Sequence, residues 1–92
     1  MIVGFRHKGL KRLFERDDAS GIRPDLLEKV RTILVQLDEA RTIDDMRLTS
    51  FRLHPLKGDM KGLWAVTVRA NWRIVFRFAN GEADDVELVD YH

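Results

Sequence analysis

The chain stops at Asp90-Tyr91-His92, which puts a carboxylate, a phenol, an imidazole and the terminal carboxylate side by side. All three side chains are proton-transfer types, and they follow directly on the apolar run Val86 to Val89. Chain ends usually fray, so a strand-anchored triplet of this composition is odd for a tail and reasonable for a site. Histidine is the side chain whose ordinary pKa lies close to neutrality, so His92 is suited to exchange protons at working pH. A second imidazole lies in His54-Pro55-Leu56-Lys57-Gly58-Asp59, and a fixed cation, Arg73, follows Asn71-Trp72. Two imidazoles, a carboxylate, a phenol and several cations suit phosphodiester chemistry on RNA. The substrate there carries its own nucleophile, the 2′-OH. An enzyme need only remove its proton, brace the phosphate and protonate the leaving 5′ oxygen. Asp90, His92 or His54 would exchange the protons, and Arg73 and Lys57 would stabilise the developing charge.

Other chemistries fit less well. With no cysteine, disulfides, thiol nucleophiles and cysteine metal sites are excluded. His54, Asp59, Asp90 and His92 lack compact ligand spacing, and an arginine-lined surface repels a cation, so neither a metal nor a cofactor is expected. Ser20 and Ser50 sit in contexts with no triad partner, and there is no glycine-rich phosphate loop. His7 reads as a solvated residue at a helix start, and Trp64 and Trp72 alternate with Val and Ile as core residues do.

The net charge of +1 conceals an asymmetry. Arg41, Arg47, Arg52, Lys57, Lys61, Arg69, Arg73 and Arg77 outnumber Asp44, Asp45 and Asp59 in the middle of the chain. Arg6, Lys8, Lys11, Arg12 and Arg16 face only Glu15 near the start, whereas Glu82, Asp84, Asp85, Glu87 and Asp90 make the last stretch acidic. Segregated bases rich in arginine suggest phosphate contacts, with Lys61, Arg69 and Arg77 as the candidate RNA-binding positions. No apolar run approaches the length of a membrane span, so a soluble, cytoplasmic chain without a membrane partner is expected.

The elements that must position these groups follow from periodicity. Ninety-two residues, 45% hydrophobic, make one domain over 1–92. Ile2 to Phe5 reads as a first strand, and Leu10, Leu13 and Phe14 mark a helix over His7 to Arg16. Pro24 opens a second helix, where its missing N–H costs nothing. Leu26, Leu27, Val30, Ile33, Leu34, Leu37 and Ala40 give that helix one apolar stripe. Thr42 caps a single turn closed by Asp45. Beyond Arg52 the period becomes two: a short extended Leu53 to Leu56, then strands over Leu63 to Arg69, Trp72 to Phe78 and Ala83 to Tyr91. The predicted fold class is α+β, a small antiparallel sheet with two N-terminal helices packed on one face.

Asn80-Gly81 is a two-residue hairpin turn. A regular ladder from it pairs Ala79 with Glu82 and Arg73 with Leu88, so Arg73 and Arg77 share a face with Leu88, Asp90 and His92. A three-residue loop with Asn71 left-handed pairs Val68 with Trp72, Val66 with Ile74 and Trp64 with Phe76, and sets Arg69 beside Arg73. Parity then leaves Tyr91 on the other face, and only a bulge or a terminal twist brings it in.

Phe5-Arg6-His7-Lys8-Gly9-Leu10, Leu53-His54-Pro55-Leu56-Lys57-Gly58, Val68-Arg69-Ala70-Asn71-Trp72-Arg73-Ile74 and the terminal triplet together resemble the HigB family. These are toxins of bacterial toxin–antitoxin pairs within the RelE-like superfamily. The resemblance runs the length of the chain, apart from Asp17 to Phe51. It implies a RelE-like fold and a ribosome-dependent endoribonuclease that cuts mRNA in the decoding site. It also implies a helix-turn-helix antitoxin partner, with operator DNA bound only through the antitoxin complex. His54, Lys57, Arg73, Asp90, Tyr91 and His92 match the family's functional positions. Asp84 departs from the pattern, where an aromatic is expected; the added acid would weaken binding to RNA or the ribosome. The alternatives are a non-catalytic inhibitor or binding module, like the gyrase-directed members of the superfamily, and an attenuated toxin acting mainly through its antitoxin.

Overall fold

In the computed structural model, which describes residues 1–91, two helices precede a four-stranded antiparallel sheet. Helix α1 spans Lys8–Arg16 and α2 spans Pro24–Glu39. The strands are β1 His54–Pro55, β2 Trp64–Arg69, β3 Trp72–Ala79 and β4 Glu82–Asp90, adjacent in that order.

The apolar stripe of α2 buries Leu26, Val30, Ile33, Leu34 and Leu37, none of them more than 2% exposed. They pack on Val66, Ile74, Phe76, Val86 and Leu88 of the sheet, and Met46 and Phe51 close the layer. Alternation along β3 sets the rest. With Ile74 and Phe76 turned toward the helices, Arg73, Val75 and Arg77 turn away from them.

Both hairpin turns depend on positive φ. Asn80 and Gly81 are both left-handed (φ 54° and 77°), the backbone a two-residue turn requires. Thr42 and Asp45 form the expected reciprocal cap, Asp45 Oδ2 accepting from the N–H of Thr42 at 3.2 Å. Gly9 lets α1 meet the loop ahead of α2: a Cβ there would lie 2.7 Å from the Gly21 carbonyl oxygen.

Two expectations about the N-terminus change. Ile2 to Phe5 makes isolated parallel bridges to β4, Ile2 to Ala83 and Phe5 to Val86, in place of a continuous strand. The ladder breaks because β4 bulges between these contacts. His7 is not simply solvated. It is half-buried as the N-cap of α1, its Nδ1 accepting the N–H of Leu10 at 3.1 Å.

An imidazole accepts at Nδ1 only when that nitrogen carries no proton. Burial holds the His7 pKa below its ordinary 6.5, with Arg12 acting in the same direction and Glu87 opposing. The unfolded chain therefore takes up this proton first as the pH falls. His7 contributes its full stability above pH 6.5 and loses it as the solution is acidified toward the folded-state value. His7→Ala is expected to cost about 1 kcal/mol at pH 7.5, as lost caps do. Urea denaturation at a series of pH values should show the wild-type slope just below pH 6.5 flattened in the variant.

Candidate functional site: the sheet face opposite the helices

Rows of cross-strand neighbours define this face. His54, Ala65, Val75 and Glu87 form one row, and Thr67, Arg73 and Val89 the next. At ordinary strand spacing and rise, the Cα atoms of His54 and Arg73 lie roughly 12 Å apart, a span that two facing side chains can close around a phosphate group. Ala65 and Val75 are 0% and 2% exposed although they point away from the main core. On this side the Tyr91 hydroxyl donates to Sδ of Met60 at 3.3 Å. The Tyr91 N–H donates to the Asn71 carbonyl at 2.8 Å, which extends the anchoring of the chain past β4.

The His54 and Arg73 side chains are each set by a backbone contact. The His54 Nδ1 lies 3.0 Å from the Arg52 carbonyl oxygen. A carbonyl only accepts, so Nδ1 carries the proton and the lone pair of the neutral ring sits on Nε2. Arg52 itself is left-handed (φ 49°), which turns that carbonyl toward the ring. Pro55 follows at the sheet edge, where its missing N–H is tolerated. Arg73 is half-buried, and its Nη1 donates to the carbonyls of Ala70 (2.6 Å) and Trp72 (3.2 Å). Its guanidinium is thereby tied to the β2–β3 turn. Lys57 and Lys61 are exposed on either side of the one-turn helix Gly58–Met60. Main-chain bonds close that loop, from the Leu56 N–H to Leu63 and from Lys61 to Gly58.

Two bulges redistribute the expected site. In β4 the register shifts between Val75 and Arg77, with Asp85 left-handed at φ 52°. Arg73 therefore pairs with Val89, not Leu88, and Asp90 pairs with Trp72. The shift carries Tyr91 onto the Arg73 face and leaves Asp90 exposed at the strand end with the parity of Trp72. The bulge that parity required for Tyr91 exists, and it moves Asp90 the other way.

In β2 the shift falls between Thr67 and Arg69, and the turn is Ala70-Asn71 with Ala70, not Asn71, left-handed (φ 50°). Trp64–Phe76 and Val66–Ile74 pair as expected, but Trp72 pairs with Arg69 in place of Val68. Arg69 consequently leaves the Arg73 face and lies 3.7 Å from Asp25 at the start of α2. Arg77 stays on the face, its Nε donating to Asp85 at 3.2 Å. His92 lies outside the described residues.

The same shift adds residues that the sequence reading missed. Glu87 joins the His54 row, and Arg6 meets Asp85 at 3.7 Å beside Val75 and Arg77. A bulge signal was present in the adjacent acids Asp84-Asp85, a pairing poorly suited to a regular strand. Asp84 has a local task as well, its Oδ1 accepting the Asp85 N–H at 2.7 Å. The opposing Gly4 leaves it room, since a Cβ there would clash with that oxygen.

The face is shallow. A notch of about 30 Å³ is lined by Arg6, Val75, Arg77 and Asp85 among others, and a hollow of about 220 Å³ lies at its edge against Val3, Arg77, Ala79, Glu82 and Asp84, whereas depressions of about 300 Å³ lie on α1 and between α1 and α2. A single strand of nucleic acid laid across a sheet needs a charged surface more than an enclosed cavity. Among the described residues, no group of three or more His, Asp or Glu side chains is arranged to hold a metal ion, and no helix is long and apolar enough to cross a membrane.

Two helices on one side of this sheet, with an imidazole, a guanidinium and a phenol on the other, define a small RelE-like protein. Solved structures agree on the fold. A YafQ variant from E. coli superimposes with a TM-score of 0.65 at 16% identity, covering 98% of this chain and 91% of that one. The YoeB/ParE toxin from Agrobacterium tumefaciens gives 0.56 at 20% identity, covering 99% and 96%. Residues 3–92 match the family described as the RelE-like toxin of type II toxin-antitoxin system HigB. A Proteus vulgaris protein named Endoribonuclease HigB is 46% identical over 92 residues, the full length of both chains. Toxin HigB-1 of Vibrio cholerae serotype O1 is 27% identical over 85 residues, 90% of each. The chain belongs to the HigB-like toxin family.

Backbone geometry at the β4 bulge is directly testable. Asp85→Gly keeps the left-handed conformation and loses exposed ion pairs worth about 0–1 kcal/mol. Asp85→Val forces a β-branched residue to φ 52° and should cost roughly 1–2 kcal/mol more. Chemical denaturation of the two variants should rank them in that order.

Proposed function

We propose that the chain is an endoribonuclease toxin that cleaves ribosome-bound mRNA in the decoding site, by attack of the substrate's own 2′-OH. The reading rests on one observation: the strand register sets His54, whose Nδ1 is engaged by the Arg52 carbonyl, on the same sheet face as the backbone-tethered Arg73 and the anchored Tyr91. His54 takes or gives a proton through Nε2. Arg73 braces the phosphate as two of its oxygens gather charge, the task for which a planar fork is suited. Lys57 adds a mobile cation from the loop, and Tyr91 sits against the same phosphate. His92 completes the proton exchange from the chain end, whereas Asp90, turned to the parity of Trp72, has no direct part in this assignment. The Lys61 ammonium and the Arg77 edge guide the RNA backbone. Arg69, turned toward Asp25, has no part in this assignment.

The nucleophile belongs to the substrate, so this mechanism calls on no metal-bound water and no cofactor. The 2′-oxygen bonds to phosphorus as the 5′-oxygen leaves. The base carries off the 2′-OH proton and the acid returns one to the 5′-oxygen. The products are a 2′,3′-cyclic phosphate and a 5′-OH. Near neutrality imidazoles are modest catalysts, and in-line alignment of the strand is worth several orders of magnitude. A shallow face supplies little of that alignment, and the ribosome supplies the rest. A helix-turn-helix antitoxin encoded beside the toxin covers the basic face and carries the complex to operator DNA. The recognition helix belongs to that antitoxin. The YoeB-YefM complex from Staphylococcus aureus, a fold neighbour at TM-score 0.59 and 13% identity, is a complex on this fold.

His54→Ala is expected to lower cleavage by about 10²–10⁴ with an unchanged melting temperature, because the ring's polar contact is to one carbonyl. Deleting His92 should have the same profile. Arg73→Lys keeps the charge, loses the fork and should lose most of the activity while remaining folded. Single-turnover cleavage of mRNA on purified ribosomes measures all three. End analysis tests the chemistry: 5′-phosphate ends, or equal cutting of a substrate with a 2′-deoxy residue at the scissile position, would falsify 2′-OH attack.

A further inference from the structure

The loop between β1 and β2 is folded on itself by its own main chain. The Met60 N–H donates to the Lys57 carbonyl at 3.3 Å, and the Leu63 N–H donates to the Met60 carbonyl at 3.1 Å. Leu56 closes the base by donating to the Leu63 carbonyl at 2.9 Å. The loop also reaches beyond its own edge of the sheet. A Cβ added at Gly62 would lie 3.3 Å from Nη1 of Arg77 on β3. Met60 accepts from the hydroxyl of Tyr91, which follows β4. A loop rooted at the β1 edge thus meets groups of β3 and of the chain past the opposite edge.

Met60 stands apart from its neighbours. Lys57, Gly58, Asp59, Lys61 and Gly62 are exposed, whereas Met60 is half-buried, as is Tyr91. Its contact with the phenol is also chemically unusual. A thioether sulfur is a weak acceptor and cannot donate. The bond therefore turns the Tyr91 proton toward Sδ, yet holds it less firmly than a carbonyl or carboxylate would. A phosphate oxygen is a much better acceptor, since hydrogen bonds to a charged oxygen are shorter and about twice as strong as neutral ones. An arriving phosphate can take the proton's hydrogen bond from sulfur at little cost.

We propose that Met60 is a positioning residue for RNA cleavage, a weak resting acceptor that orients the Tyr91 hydroxyl and then releases it to a phosphate oxygen. The inference rests on the placement of Tyr91 at the scissile phosphate in the proposed mechanism. Donors arranged before the substrate arrives need no reorganisation when charge develops. A leucine at position 60 would fill similar space and leave the phenol unoriented. A glutamine would hold the hydroxyl on a stronger acceptor and retain it. The sulfur lies between these extremes, and a residue that merely fills space needs neither the sulfur nor the hydroxyl.

The test is a double-mutant cycle in single-turnover cleavage of mRNA on purified ribosomes. It uses Met60→Leu, Met60→Gln and Tyr91→Phe singly, and each Met60 variant combined with Tyr91→Phe. Met60→Leu should slow cleavage at saturating toxin about threefold to tenfold, the equivalent of one ordinary hydrogen bond, with the half-saturating toxin concentration unchanged. Met60→Gln should be slower still. With Tyr91→Phe in place, either Met60 change should alter the rate by less than about twofold, because the group through which Met60 acts is gone. Melting temperatures of all forms should lie close together, Leu for Met being a swap of nearly equal volume. Three results overturn the inference and leave Tyr91 in the mechanism: Met60→Leu as fast as the parent, Met60→Gln as fast as the parent or faster, or Met60 losses that persist undiminished beside Tyr91→Phe. A large drop in melting temperature for Met60→Leu overturns it in favour of a packing role. Full activity of Tyr91→Phe alone removes Tyr91 from the proposed mechanism, and this inference with it.

Discussion

Burial on both sides of β3 is the constraint from which the rest follows. Ile74 and Phe76 are 0% exposed toward the helices, and Val75, one residue from each, is 2% exposed on the other side. A strand sealed on one face tolerates no slip, because moving it by one residue exchanges every inward and outward side chain. Arg73 sits within this run, so its direction is set by hydrophobic burial and not by any polar partner. Its contacts to Ala70 and Trp72 then refine an orientation already imposed. The Val75 side is unusual, since Val75 and its neighbour Ala65 are buried although the helices pack on the other face.

Bulges adjust what alternation alone leaves misplaced. The β4 bulge costs a left-handed Asp85 and an interrupted ladder to the N-terminal segment. In return it turns Glu87, Val89 and Tyr91 toward Arg73 while keeping Val86 and Leu88 in the core. Asp84 caps the bulge, and Asp85 meets Arg6 and Arg77, so the acids that make the last strand locally negative also hold its geometry. The expected weakening of RNA binding by Asp84 therefore competes with a structural contribution from the same carboxylate.

These features explain what could be read in advance. The α2 stripe, the Asn80-Gly81 turn and the Thr42 cap each carry their signal within a few residues, and each forms as expected. The inward set of β3 was legible for the same reason. The partners of Arg73 across β4 were not, because a bulge changes parity through one residue, and an aspartate within a strand-like run does not by itself announce the left-handed conformation that Asp85 adopts. Arg69 was misplaced by the same kind of event, at a turn where Ala70 takes the left-handed role expected of Asn71. His7 was misjudged because its capping bond is a tertiary choice of rotamer, and Leu10 needs only some acceptor three residues earlier.

The site divides into a rigid part and an adaptable part, and that division bears on why a surface so open would need a second macromolecule. Arg73 and Tyr91 are bound to backbone carbonyls of the same turn region, Ala70 and Asn71, so they move together if they move at all. His54, on the far edge strand, is held by the Arg52 carbonyl just before that strand. Lys57 and Lys61 extend from a loop whose main chain is closed but whose side chains are exposed. A strand of RNA would meet a preset phosphate brace at one end and loosely held cations at the other. Such a face would fix the phosphate without fixing the direction of the leaving oxygen. In-line geometry accounts for much of the rate in reactions of this kind. In the proposed mechanism a host that already holds the strand taut would supply the missing restraint, and the toxin would supply the proton exchange and the charge.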